Sequence, residues 1–139
     1  LTAHPRILLV EDNELEIELA TLAFAEHGYD NHVVVVRDGQ EALDYLTREG
    51  EHASPASHLP DLILLDLNMP RLGGHEVLAR LKSHPNLRAL PVVIFTTSDE
   101  ERDRRLCEAH GADGYTRKPY DFDGFVSTVG QLTRTYLAS

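Results

Sequence analysis

The sequence predicts an α/β fold: a doubly wound parallel sheet of five strands, built from (βα)5 units in the order 2-1-3-4-5. Three observations predict it. Short aliphatic runs recur along the chain, at "RILLV" (6 to 10), "VVVV" (33 to 36), "LILL" (62 to 65) and "VVIF" (92 to 95). They are continuous rather than alternating, the pattern of strands covered on both faces. Segments with helical spacing separate them, and right-handed crossovers then give an open parallel sheet.

The elements follow in order. After the first strand, Asn13 with Glu16 has the spacing of a capping box. Leu15, Leu19 and Leu22 then share one face of a helix that Gly28 ends. Asp38 is placed to cap a second helix through Ala42, Leu43 and Leu46. "REGEHASPASHLP" (48 to 60) is polar with two prolines and reads as a long loop before the third strand. "GHEVLARLKS" (74 to 83) is a third helix. Ser98 with Glu101 suggests a second capping box, opening a fourth helix that ends near Gly111. "GYTRK" (114 to 118) is a weaker fifth strand. Phe122, Phe125, Val126, Val129, Leu132 and Tyr136 give the last helix, which Gly130 weakens by about 1 kcal/mol relative to Ala.

Composition bounds the function. The chain has 139 residues, 42% hydrophobic and 26% charged, which suits one globular domain. A net charge of -10 argues against a nucleic-acid partner on this surface. Cys107 alone cannot form an internal disulfide, in keeping with a reducing compartment. No apolar stretch reaches the roughly 20 residues of a membrane span. The expectation is a cytoplasmic protein with no membrane partner.

A sheet of this order has its topological switch point between strands 1 and 3, outside their carboxyl ends. Strand 1 runs into Glu11 and Asp12, and strand 3 into Asp66. Two such charges about 4 Å apart repel by ~4 kcal/mol at an effective dielectric of 20, so protonation, a lysine or a bound cation must offset them. Hard oxygen ligands favour Mg²⁺, to which Asn68 can add its main-chain carbonyl. A single acid after a strand is ordinarily a cap or turn former. Three acids converging at the switch point are not explained that way. Strand 4 ends at Thr96, Thr97 and Ser98, and strand 5 at Lys118, at the same edge. An aspartate nucleophile, a cation and a lysine make a phosphoryl-transfer site, with Asp66 as acceptor. No Walker loop is present to bind a nucleotide.

"VEDN", "LLDLNMP", "FTTS" and "TRKP" at these spacings resemble the receiver domain of bacterial two-component response regulators, over residues 6 to 137. The resemblance implies a flavodoxin-like receiver fold. It also implies Mg²⁺-dependent phosphorylation of Asp66 by a histidine kinase or a small phosphodonor. Glu11 and Asp12 match the acidic metal pair, with Asp12 the direct ligand. Thr96 matches the hydroxyl that moves onto the phosphoryl group, Lys118 the phosphate-pairing lysine, and Tyr115 the aromatic that changes rotamer on activation. Asn68 and Ser98 match positions that influence the phosphorylated lifetime. Gly73 departs from the family, which often carries Asp or Asn there, and makes that loop more pliable. The stretch from "LPDLILLDLNMPR" to "FTTSDEE" resembles single-domain regulators paired with bacterial phytochromes.

The further expectations are a single receiver domain over 1–139 with no output domain, and a signal carried by protein contacts rather than by enzymatic turnover. The end of the last helix, Leu132, Tyr136 and Leu137, should be exposed in a monomer and form a homodimer with strand 5. Three rival folds or functions differ from this pattern. A small aspartate-nucleophile phosphohydrolase of the haloacid dehalogenase type carries its nucleophile after the first strand. A binding-only pseudo-receiver would have lost part of the site. A flavin domain would need a phosphate-binding loop after strand 1.

Overall fold

The computed structural model describes residues 6–52, 59–69 and 71–137. Five strands and five helices alternate: β1 (Ile7–Val10), α1 (Glu14–Glu26), β2 (Val33–Val36), α2 (Gly39–His52), β3 (Leu62–Leu65), α3 (Gly74–Ser83), β4 (Val92–Thr96), α4 (Glu101–Ala109), β5 (Gly114–Arg117) and α5 (Phe122–Tyr136). The sheet order is β2-β1-β3-β4-β5 and every pairing is parallel. This is the predicted doubly wound fold.

Burial on both faces explains the aliphatic runs. Leu8, Val10, Ile63, Leu65, Val92 and Ile94 point to one side, where Ala42, Leu43 and Leu46 of α2, Val77, Leu78 and Leu81 of α3, and Cys107 of α4 cover them. Ile7, Leu9, Leu62, Leu64, Val93 and Phe95 point to the other, under α1 and α5. Successive residues of one strand thus serve opposite cores.

Four expectations need correction. The buried face of α1 is Ile17, Ala20, Ala23 and Phe24, while Leu15 is 64% exposed and Leu22 50%. The segment from 48 is not all loop, because α2 continues to His52; residues 53–58 of the expected loop lie outside the described residues. Ser98 does not cap α4: Glu100 precedes the helix, and no side chain caps it. The end of α5 is not a free apolar patch. Leu132 is buried, Tyr136 and Leu137 pack against the α1/α5 core, and the Tyr136 hydroxyl donates to the Asp113 carbonyl at 3.2 Å. The homodimer expectation therefore loses the exposed surface on which it rested. Other predicted caps form, with Asn13 Oδ1 accepting the Glu16 N–H at 3.0 Å and Asp38 Oδ1 the Glu41 N–H at 2.7 Å.

Candidate phosphoacceptor site

The parallel ladder places the site residues. Beyond the last residues of β1, β3 and β5, backbone bonds continue: Glu11 N–H to Val36 O at 3.0 Å, Asp66 N–H to Val10 O at 3.1 Å, and Lys118 N–H to Thr96 O at 2.7 Å. Glu11, Asp66 and Lys118 are thus held by the sheet, one step past its carboxyl edge. That rigidity is what a reacting group needs. Glu11, Asp66, Thr96 and Lys118 are all buried, whereas Asp12 is exposed.

The predicted convergence is present. Glu11, Asp12 and Asp66 each offer a carboxylate oxygen within 4.8 Å of the others. An all-oxygen donor set of this kind fits a hard divalent cation. The three carboxylates are not equally free. Glu11 uses one oxygen on the Lys118 ammonium and the other on the Asn13 N–H at 3.0 Å. Asp12 faces solvent and is open to a metal with its water shell.

Lys118 is the counter-charge. Its Nζ contacts Glu11 and Glu16 and lies 3.7 Å from Asp66 Oδ1. Burial works against its charge, but Asp66, Glu11 and Glu16 outweigh this and raise its pKa. Burial also raises the Asp66 pKa, opposed by the charge of Lys118, the Asn68 N–H and the Thr96 hydroxyl. Glu11 is pushed up to about 7, because burial outweighs its hydrogen bond to Lys118.

This shift has a pH signature. A carboxyl whose folded pKa exceeds its unfolded value disfavours the fold as it ionises, here as pH rises from 4.5 toward 7. Asp38 and Asp103 shift downward from 3.8, so their contribution is lost only at lower pH. The metal-free protein should lose stability as pH rises from about 5 to about 8, by on the order of 1 kcal/mol. Mg²⁺ should raise Tm more at the upper end. Calorimetry at both pH values, with and without Mg²⁺, checks this; an unchanged Tm without metal contradicts it.

Beside the acids lies the expected switch pair. The Thr96 hydroxyl faces Asp66 and accepts the Ser98 N–H at 3.3 Å. The half-buried Tyr115 donates its hydroxyl to the Ser98 carbonyl at 3.0 Å, and Arg104 lies 4.6 Å from its ring centroid. Ser98 thus sits between the two, and its own hydroxyl donates to Asp103 at 2.6 Å. His75 Nε2 meets the other Asp103 oxygen at 3.0 Å. These two bonds hold the Asp103 carboxyl below its usual range.

Glu16, Asp103 and His75 were missed from sequence. The Glu16 spacing to Asn13 reads as capping, and the Asn13 half of the box does form. No local signal tells that its carboxylate turns to Lys118. Gly73, expected to loosen the loop, has ordinary extended geometry at φ -73, ψ 163. The constrained glycine is Gly74, where a Cβ would lie 2.3 Å from the Asp66 carbonyl oxygen.

The parallel order and the acidic crevice opposite a lysine define a phosphoacceptor domain. Residues 7–130 match the response regulator receiver domain, and the chain belongs to that family. It is similar to several named proteins. The probable methanogenesis regulatory protein FilR2 of Methanothrix harundinacea is 39% identical over 131 residues, 94% of this chain and 83% of that protein. The response regulator Rcp1 of Synechocystis sp. is 42% identical over 97 residues, 70% of this chain and 65% of that protein. A Mn²⁺-bound Rcp1 structure superimposes with a TM-score of 0.81 at 34% identity, covering 94% of this chain and 92% of that one. The phosphorylated cyanobacterial phytochrome response regulator RcpA superimposes with a TM-score of 0.87 at 41% identity, covering 98% and 96%. Receiver domains are signalling domains of two-component systems, not generally classed as enzymes, and they bind divalent cations. Among the described residues no helix is long and apolar enough to cross a membrane.

Proposed function

We propose that Asp66 takes a phosphoryl group from a phosphohistidine of a sensor kinase, with Mg²⁺ held by Asp12, Asp66 and the main-chain carbonyl of Asn68. The observation that carries this is the meeting of Asp66, Asp12 and Glu11 within 4.8 Å, with Lys118 3.7 Å from Asp66. An Asp66 oxygen attacks phosphorus, the donor's N–P bond breaks, and the imidazole leaves. The cation supplies charge neutralisation at the phosphoryl oxygens. Lys118 draws the Asp66 carboxyl toward its anion and meets the arriving oxygens. Glu11, with each oxygen already bonded, orients Lys118 and would add its charge to the site that holds the cation.

Thr96 and Tyr115 carry the change outward. A phosphoryl oxygen attracts the Thr96 hydroxyl away from the Ser98 N–H. The Ser98 backbone then shifts, and the Tyr115 hydroxyl loses its carbonyl partner. The surface of α4, β5 and α5 reads that shift out through protein contacts. The likeness to RcpA and Rcp1 supports a phytochrome-type kinase as donor, and a cytoplasmic location goes with such a partner. A phosphohydrolase reading has no support from the position of the nucleophile after β3, and the intact acid, hydroxyl and lysine set speaks against a binding-only module.

Incubation with acetyl phosphate and Mg²⁺, read by intact mass, tests the proposal. One added phosphate is expected, and no adduct at any Mg²⁺ concentration would refute it. Asp12→Ala should weaken Mg²⁺ binding about tenfold or more and slow phosphorylation with it, since a directly ligating carboxylate is removed. Calorimetric titration with Mg²⁺ checks this, and matching curves for the two proteins would place the metal elsewhere.

A further inference from the structure

We infer that Glu16 is a positioning residue that holds the Lys118 ammonium while Asp66 is unphosphorylated and competes with the phosphoryl group for it. The inference rests on Asp66 being the phosphoacceptor. An ammonium has three N–H donors. Around Lys118 Nζ stand three carboxylates: Glu11 and Glu16 in contact, and Asp66 at 3.7 Å. The lysine is therefore hydrogen-bonded to two carboxylates and ion-paired with a third before any phosphate arrives. A phosphoryl group on Asp66 brings new acceptor oxygens and more negative charge to this point. A phosphoryl oxygen that draws the ammonium toward Asp66 competes with its two hydrogen-bonded partners.

Glu11 is poorly placed to yield, since its side chain is 3% exposed and its second oxygen accepts the Asn13 N–H. Asp66 is the reacting group itself. Glu16 has a way out: its side chain is 26% exposed, on the first turn of α1. Its backbone stays fixed by the Asn13 cap, so the carboxylate swings to solvent without unwinding the helix. It is not part of the oxygen cluster suited to a metal, which comprises Glu11, Asp12 and Asp66. Its carboxylate shares the Lys118 ammonium with Asp66, so negative charge at the two sites is in competition for one cation. Glu16 thus favours the unphosphorylated state and sets how far phosphorylation proceeds.

The test is a ¹⁹F NMR titration with beryllofluoride, a phosphoryl mimic, at saturating Mg²⁺. Glu16→Gln and Glu16→Ala are compared with the unmutated protein. Both variants should bind beryllofluoride roughly threefold to tenfold more tightly, the scale of one partly screened charge at this distance. A merely structural glutamate would give the opposite sign, because its loss would loosen the site. Equal or weaker binding in both variants therefore overturns the inference. If the unmutated protein and the variants alike fail to bind beryllofluoride with Mg²⁺, the phosphoacceptor reading itself fails, and this inference with it.

Discussion

Asp66→Asn protein should take up no phosphate from acetyl phosphate or from a cognate kinase, under conditions where the unmutated protein is fully labelled. The substitution keeps the shape of the side chain. Its carbonyl oxygen can still accept from the Asn68 N–H and the Thr96 hydroxyl, the groups now bonded to the carboxylate. It lacks an anionic oxygen to attack phosphorus. The loss is therefore chemical rather than structural. Stability makes this separable. Burial disfavours the charge at Asp66, and the neutral amide removes that cost. Metal-free Asp66→Asn should be at least as stable as the parent, by up to about 1 kcal/mol. Mg²⁺ should stabilise it less, because one ligand charge is gone. Intact mass and thermal unfolding on the same sample give both readouts. Undiminished labelling of Asp66→Asn would move the phosphoacceptor to another residue.

The strands and the site were legible for the same physical reason. A parallel sheet buried on both faces demands continuous aliphatic residues, so each strand announces itself in a run. The acids at Glu11, Asp12 and Asp66 then stand out as the residues that end those runs. What failed to read was what depends on partners far along the chain. α1 is apolar around much of its circumference, so leucine spacing alone did not choose its inner face. The small Ala20 and Ala23 lie inside with Ile17 and Phe24, where α1 packs against α5, while Leu19 flanks that core and Leu15 and Leu22 stay out. Glu16 and Ser98 each fit a capping pattern, but their side chains serve Lys118 and Asp103 instead. The end of α5 looked unpartnered because its partner, the Asp113 carbonyl, belongs to the turn before β5. Local spacing shows which groups could bond. It does not show which distant group competes for them.

Gly74→Ala is expected to cost about 2–3 kcal/mol of stability and to slow phosphorylation well beyond that of its neighbour Gly73→Ala. Gly74 opens α3 and is buried, with its N–H donating to the Leu67 carbonyl at 3.1 Å. A Cβ there would stand 2.3 Å from the Asp66 carbonyl oxygen, 2.7 Å from Leu67 Cα and 3.0 Å from the Asp66 carbonyl carbon. All three are backbone atoms, so no side-chain end can rotate aside. Either α3 moves away from β3, opening the packing of Val77, Leu78 and Leu81, or the peptide after Asp66 turns. The second choice displaces the Asn68 N–H that supports the Asp66 carboxylate. A methyl group with no reactive chemistry thus reaches the phosphoacceptor through its backbone. Gly73 supplies the control. A Cβ there meets only the Leu67 carbonyl oxygen, at 3.7 Å, and its φ of -73 suits any residue. Gly73→Ala should change stability by no more than about 0.5 kcal/mol. Urea unfolding and acetyl phosphate labelling of the two variants side by side give the comparison. Matching unfolding midpoints and labelling rates for the two would mean that α3 tolerates the methyl group and that the close approach to Asp66 does not hold the acceptor in place.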